Sequence, residues 1–210
     1  MALFTKPNEN IFRFSAFDGQ KDMEKIDSEA QKLLHPKTYL EFKKMSPGEK
    51  GCTMSHLQLI SNIFYETKHE CVLICEDDIV LEHYKQKMEK LLPIIPDSAD
   101  IVQLHIANPQ VVISSSSLQF YKWKNQNWST SAYLIFRNGM EKLLKMVKER
   151  VVIYPRANTI VYSPVTTYTV QPPLFITNES PSTIHPSHEG IHKKANDKIL
   201  SAQQDTEYLS

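Results

Sequence analysis

The sequence predicts an α/β fold, a mixed central sheet flanked by helices, and three observations carry that prediction. Cys71-Val72-Leu73-Ile74-Cys75 is apolar at every position, as in a strand covered on both faces. Ala99 to Ile106 repeats this pattern. Segments of helical spacing lie before and between the two, giving the order β-α-α-β-α-β ahead of a more antiparallel half.

The first element is Ile11-Phe12-Arg13-Phe14-Ser15-Ala16-Phe17, which alternates like a strand and runs into the turn Asp18-Gly19. Lys21 to Leu34 is helical, with Met23, Ile26, Ala30 and Leu33-Leu34 on one side, and His35-Pro36 is expected to end it. Ser46-Pro47-Gly48-Glu49 then reads as a capping box: Ser46 at the N-cap, proline at the first helical position, Glu49 reaching back. That helix is expected from Pro47 to about Thr67. The strand ending at Cys75 follows, then a helix over roughly Glu82 to Leu92.

Ala99 to Ile106 is the next strand. Val111-Val112-Ile113 and Leu118 to Trp123 read as short strands joined through four serines, a hairpin-like excursion. Ser131 to Phe136 is a further strand, and Asn138-Gly139 opens a helix to about Arg150. Beyond Tyr154-Pro155 the chain is proline-rich and reads as irregular, with one strand near Thr167 to Val170. The tail, 195–210, is polar and expected loose, a terminal helix being the alternative.

The totals narrow the function. The 210 residues suit a single domain, with 41% hydrophobic and 23% charged content, enough for a core. The 24 basic and 24 acidic residues balance, which gives no footing for wrapping nucleic acid or coating a membrane. No stretch has the length of a membrane-spanning helix, and Met1 to Asn10 does not read as a signal peptide. The three cysteines, Cys52, Cys71 and Cys75, fit no zinc spacing and read as buried free thiols. A reducing, cytoplasmic location is expected from them.

Chemistry concentrates where the apolar strand ends. Glu76-Asp77-Asp78 places three carboxylates at the carboxyl end of a buried strand, where open α/β sheets bind ligands. Adjacent carboxylates repel, so a cation or several hydrogen-bond donors must accompany them. Strand alternation points Glu76 and Asp78 one way and Asp77 the other. A solvated acidic turn is the plain alternative. A phosphorelay receiver is excluded: its acidic pair ends the first strand, and here the next apolar strand ends near His105 with no aspartate. A second cluster lies on the capped helix, in Gly48-Glu49-Lys50-Gly51-Cys52-Thr53-Met54-Ser55-His56, where Cys52, Ser55 and His56 fall near one face. Packing and local hydrogen bonding would also account for them.

Taken together, G-E-x-G-C-x-x-S-H followed by an apolar strand ending in E-D-D resembles glycosyltransferase family 25. Arg13 to Gly19 is similar to that family's R-F-x-A-x-D-G segment. Ala132-Tyr133-Leu134-Ile135 and Asn138 to Leu144 are similar to its A-Y-L-I-x-x-x-G-A-x-K-L-L segment. A fainter echo occurs in Pro172-Pro173-Leu174 and Ser182-Thr183-Ile184. Two departures stand out. The family's opening V-I-N-L type strand is not matched, leaving Ile11 to Phe17 as the candidate first strand or the nucleotide held differently. The family's P-x-D type segment reads Tyr154-Pro155-Arg156-Ala157-Asn158, without a carboxylate.

The resemblance implies a GT-A type fold with a Rossmann-like nucleotide-binding half over about 1–106, an acceptor half over about 107–194, and a polar tail. It implies a UDP-sugar donor, a glycan or glycoprotein acceptor, and Mn2+ or Mg2+ as cofactor, with E-D-D as the family's form of the D-x-D motif. Asp78 is then the leading metal ligand, with Glu76 ligating through water or binding ribose. A carboxy-terminal histidine is a common further ligand; of His185, His188 and His192, His188 is favoured beside Glu189-Gly190. Ala16, Asp18, Ser55, His56, Glu76 and Asp77 are the expected donor-site residues. Trp123, Trp128 and Tyr133 are expected to stack on acceptor sugars, and Glu179 and Glu189 are candidate bases by position alone. A catalytically inactive nucleotide-sugar-binding domain and a sugar nucleotidyltransferase are the alternatives. The second normally has a glycine-rich phosphate loop, and the chain's 5 glycines are not so arranged.

Overall fold

The computed structural model describes residues 2–4, 11–178 and 189–204, with 2–4 and 189 described in backbone only. Among the described residues seven strands form one mixed sheet: β1 (Ala2–Phe4), β2 (Ile11–Arg13), β3 (Cys71–Cys75), β4 (Ile101–Gln103), β5 (Gln119–Lys122), β6 (Ala132–Phe136) and β7 (Thr167–Gln171). Their spatial order is β2-β1-β3-β6-β4-β7-β5. β6 is antiparallel to both β3 and β4, so β3 and β4 run the same way, and β7 is parallel to β4. The carboxyl ends of β3, β4 and β7 therefore open on one edge, which the start of β6 shares.

The helices are α1 (Met23–Leu33), α2 (Pro36–Phe42), α3 (Pro47–Glu66), α4 (Tyr84–Leu91), α5 (Arg137–Glu149), α6 (Ala157–Tyr162) and α7 (Glu189–Gln204). The absence of polar alternation in β3 is explained by cover on both sides. Val72 and Ile74 pack with Ile26, Leu57, Ile60, Leu143 and Ile160 of four helices. Leu73 and Cys75 face the other way, with Met88 and Leu91 of α4 and the buried Leu174 and Phe175. Full burial of each such side chain is worth roughly 1.5–3 kcal/mol. No described helix is long and apolar enough to cross a membrane.

The capping box forms as expected: Ser46 Oγ accepts the Glu49 N–H while Glu49 Oε2 accepts the Ser46 N–H at 3.1 Å. Five local expectations are corrected. Pro36 does not merely stop a helix but starts α2, with His35 Nδ1 accepting the Lys37 N–H at 3.2 Å. The first strand ends at Arg13, because the Phe17 N–H is drawn away to Ser55 Oγ, and Ala2–Phe4 lies between β2 and β3. Pro109–Val111 is a short 3-10 turn rather than a strand. The Gln171 side chain takes the ladder's place there, accepting from Ile113 N–H at 3.0 Å and donating to Val111 O at 2.8 Å. β5 accordingly pairs with β7.

The proline-rich stretch contains α6, whose Ile160, Val161 and Tyr162 are buried. The polar tail is helical through Gln204. Its Ile199 and Ala202 pack on Ile106 and Val112, and Asn196 exchanges hydrogen bonds with Thr177 at 2.7 and 3.1 Å.

Candidate functional site

The shared edge brings the carboxyl end of β3, the amino end of β6 and the first half of α3 together. Two glycines make this possible. A Cβ on Gly19 would overlap the Pro47 carbonyl, and one on Gly51 would press to 3.0 Å of Gly19 N and Phe17 O. The loop after β2 thus lies directly against the start of α3. Ser55 locks it: its hydroxyl donates to Gly51 O at 2.7 Å and accepts the Phe17 N–H at 2.9 Å. Ala16 is exposed on this loop. Asp18 caps its own turn, accepting from the Gln20 and Lys21 N–H groups, and those two bonds hold its carboxyl below the usual range.

Glu76 stands at the centre. Its backbone N–H continues the pairing to Ser131 O at 2.8 Å. Oε1 receives His56 Nε2 at 3.1 Å and the Thr130 hydroxyl at 2.9 Å, and Oε2 receives the Ser131 hydroxyl at 3.4 Å. Burial pushes this carboxyl up, but the His56 contact and the Thr130 bond outweigh it, leaving it below the usual value and ionised. A carboxylate only accepts, so His56 Nε2 donates to it, and Nδ1 shares a 3.0 Å hydrogen bond with the Tyr133 hydroxyl.

Asp78 is different. Its Oδ1 is buried with no hydrogen-bond partner among the described residues. Burial first, then the charges of Glu76 and Asp77, raise its carboxyl to about 7. Its backbone carbonyl accepts the Asn178 N–H at 2.6 Å, and Ile79 bridges Thr177, so the chain after β7 is fastened beside it. Asp77 is exposed.

A cation suits this corner: an orphaned buried carboxylate oxygen beside two further carboxylates is a donor set for a hard divalent ion. Cys52, His56 and Glu76 also bring ligand atoms within 4.8 Å of one another. Both His56 nitrogens are already engaged, however, and burial with the charges of Glu76 and Asp78 pushes the Cys52 thiol up, away from the thiolate a metal requires.

The expected acceptor aromatics separate. Tyr133 is fully buried, with its ring between His56 and Tyr162 and its hydroxyl committed to His56, so it offers no face to a sugar. Trp123 is half-buried and bonded to Asn127 O. Trp128 is 42% exposed and lies one residue before Ser129 in the chain. Glu179, His185 and His188 lie outside the described residues, as does the Glu189 side chain; Glu189 opens α7.

Three groups escaped the sequence reading. Thr130 and Ser131, the two residues just before β6, hold Glu76 through their hydroxyls. His105, 1% exposed, ends the segment after β4, with Nδ1 on Ser129 Oγ at 2.8 Å and Nε2 without a partner. The signal was present, since His105 closely follows an apolar strand as Glu76 does.

No curated protein matches the chain. A family model described as glycosyltransferase family 25 (LPS biosynthesis protein) matches residues 2–160, which include β1 to β6, the ionised Glu76 and the α3 face that holds it. The order of motifs and the way they converge on one sheet edge agree with that match. The chain belongs to glycosyltransferase family 25 and is a glycosyltransferase.

Proposed function

We propose that the chain is a metal-dependent hexosyltransferase, moving a hexose from a nucleoside-diphosphate sugar, a UDP-sugar by preference, to a hydroxyl of a glycan or glycoprotein. The observation that carries this reading is the buried, unpartnered Asp78 Oδ1 beside the ionised Glu76 at the carboxyl edge of the sheet.

Asp78 is the direct ligand for Mn2+ or Mg2+, because its oxygen is the one left open. Glu76 is held by three side chains and contributes its charge, directly or through water, without having to move. The ion, when bound, neutralises the diphosphate as it leaves. His56 and Thr130 keep Glu76 ionised, Tyr133 holds the His56 ring, and the Gly19–Gly51 contact sets the loop carrying Ala16 and Asp18 against the same edge. Trp128 supplies the sugar-stacking face for the acceptor. Glu179, Glu189 and His188 remain proposals by position.

The test is hydrolysis and transfer across a panel of UDP-sugars with and without Mn2+. Turnover is expected only with the metal and is lost in Asp78→Ala. Binding without turnover, unaffected by Asp78→Ala, overturns the enzymatic reading in favour of a sugar-nucleotide-binding domain.

A further inference from the structure

His105 lies two residues beyond β4, on the same edge as Glu76, and is 1% exposed. Its ring is held by an unusual residue. Ser129 has φ of 111°, a backbone region that favours glycine. It stays there because its carbonyl accepts from Gln103 Nε2 at 2.9 Å and the Tyr162 hydroxyl at 3.1 Å. Its hydroxyl oxygen meets the Ser131 N–H at 3.0 Å and His105 Nδ1 at 2.8 Å. Strain maintained by four contacts is found where a side chain must be placed.

The hydrogen-bond inventory then assigns the ring's proton. Ser129 Oγ already accepts from Ser131, and among the described residues its own hydroxyl hydrogen has no acceptor but His105 Nδ1. The imidazole is neutral, because burial, reinforced by His192 and partly offset by Glu76, lowers it to about 4. With Ser129 as the donor to Nδ1, the ring's single proton is on Nε2, an N–H buried with no acceptor among the described residues. Buried donors are almost always paired, so a lone one at a ligand edge marks where a ligand oxygen belongs. A chain of bonds links it to Glu76: Ser129 Oγ, which meets His105 Nδ1, also accepts the Ser131 N–H, and the Ser131 hydroxyl reaches Glu76 Oε2.

Resting on the nucleotide-sugar reading above, we propose that His105 is a donor-binding residue whose Nε2–H donates to a phosphate oxygen of the nucleoside diphosphate. The phosphate is preferred over the sugar because Glu76 and Asp78 would draw the cation, and with it the diphosphate, to this end of the edge. Ser129 is its positioning residue.

The experiment is calorimetry of UDP with Mn2+ on the purified chain and two variants. His105→Asn can set its amide oxygen where Nδ1 stands, to accept the Ser129 hydroxyl, and loses the Nε2–H; His105→Gln places an amide N–H where Nε2 stands. UDP affinity is expected to fall about tenfold in His105→Asn and to change less than about threefold in His105→Gln. Equal affinities of wild type and His105→Asn overturn the proposal, as does equal loss in both variants, or loss seen with a UDP-sugar and not with UDP. Ser129→Ala keeps the ring and frees Nδ1; weaker UDP binding is expected, and an unchanged value counts against the assignment even where His105→Asn does not fold. If the wild-type chain binds no UDP, the nucleotide-sugar reading falls first and this assignment with it.

Discussion

His56 and Glu76, 20 residues apart in the chain, share a 3.1 Å hydrogen bond that ties the middle of α3 to the end of β3. The bond continues through the imidazole to the Tyr133 hydroxyl on β6. One ring therefore clamps three elements at the level where the carboxylates emerge. His56→Ala leaves the Tyr133 hydroxyl and the Glu76 carboxylate each short of a buried partner. Chemical denaturation should show a loss of about 2–4 kcal/mol. The Glu76 carboxyl should also titrate at higher pH, because a contact that lowers it is gone.

Asp78 gives a pH dependence of the opposite kind. Its folded carboxyl sits at about 7 against 3.8 ordinarily. A raised value means the folded state holds the proton more tightly than the unfolded chain. The associated stability is complete below about 4 and disappears as pH rises through about 7. The full shift corresponds to about 4 kcal/mol, and partial exposure reduces this to about 2 kcal/mol. Asp78→Asn should therefore stabilise the metal-free protein at pH 8 and not at pH 4, in parallel melts. Mn2+ should raise the melting temperature of the wild type at pH 8 and leave Asp78→Asn unmoved.

Trp128 tests the acceptor side independently. Its ring is exposed and packs no core, so Trp128→Ala should leave the melting temperature within error. Transfer to a glycan should fall by about tenfold or more through a higher acceptor KM. Metal-dependent hydrolysis of the donor, which needs no acceptor, should persist.

Gly19→Ala places a methyl group into the Pro47 carbonyl, and backbone on both sides resists movement. A cost of about 1–3 kcal/mol is expected. Donor KM should rise with it, because the loop bearing Ala16 and Asp18 is displaced. Ser46→Ala, at the outer end of the same helix, should cost about 1 kcal/mol and leave donor KM unchanged, which separates loss of helix stability from loss of loop position.

The parts of this fold that were legible in the sequence are those whose signal is local. An apolar run covered on both faces, a capping box and a helix-spaced stripe each lie within a few residues, and β3, α3 and α5 appear where those signals place them. What was missed depended on distant partners. Val111 and Ile113 have strand composition, yet the Gln171 side chain, about sixty residues away, takes their hydrogen bonds. The tail is polar by count, yet Ala195, Ile199 and Ala202 line one buried face and Asn196 is spent on Thr177. Pro36 carries two meanings, stop and start, and only the His35 cap decides between them.

The site divides the same way. Glu76 and Asp78 were legible because three carboxylates in a row are rare at a strand end. That Glu76 is the anchored group and Asp78 the open one depends on Thr130, Ser131 and His56, which no spacing in the sequence connects. Tyr133 looked like an acceptor platform by residue type, and its burial at the junction of β6 with α3 makes it a strut instead.

The antiparallel placement of β6 between β3 and β4 has a consequence for how the molecule comes to exist. During synthesis β3 and β4 are complete long before Ala132–Phe136 emerges, and until then neither has the neighbour that separates them in the sheet. β4 waits longer still for β7. Such long-range pairing slows folding and leaves apolar strand edges open to other chains meanwhile. The ribosome must therefore deliver the chain through Ser131 before Glu76 acquires Thr130 and Ser131. An amino-terminal portion that stops short of Thr130 and Ser131 lacks two of the three side chains that hold that carboxylate.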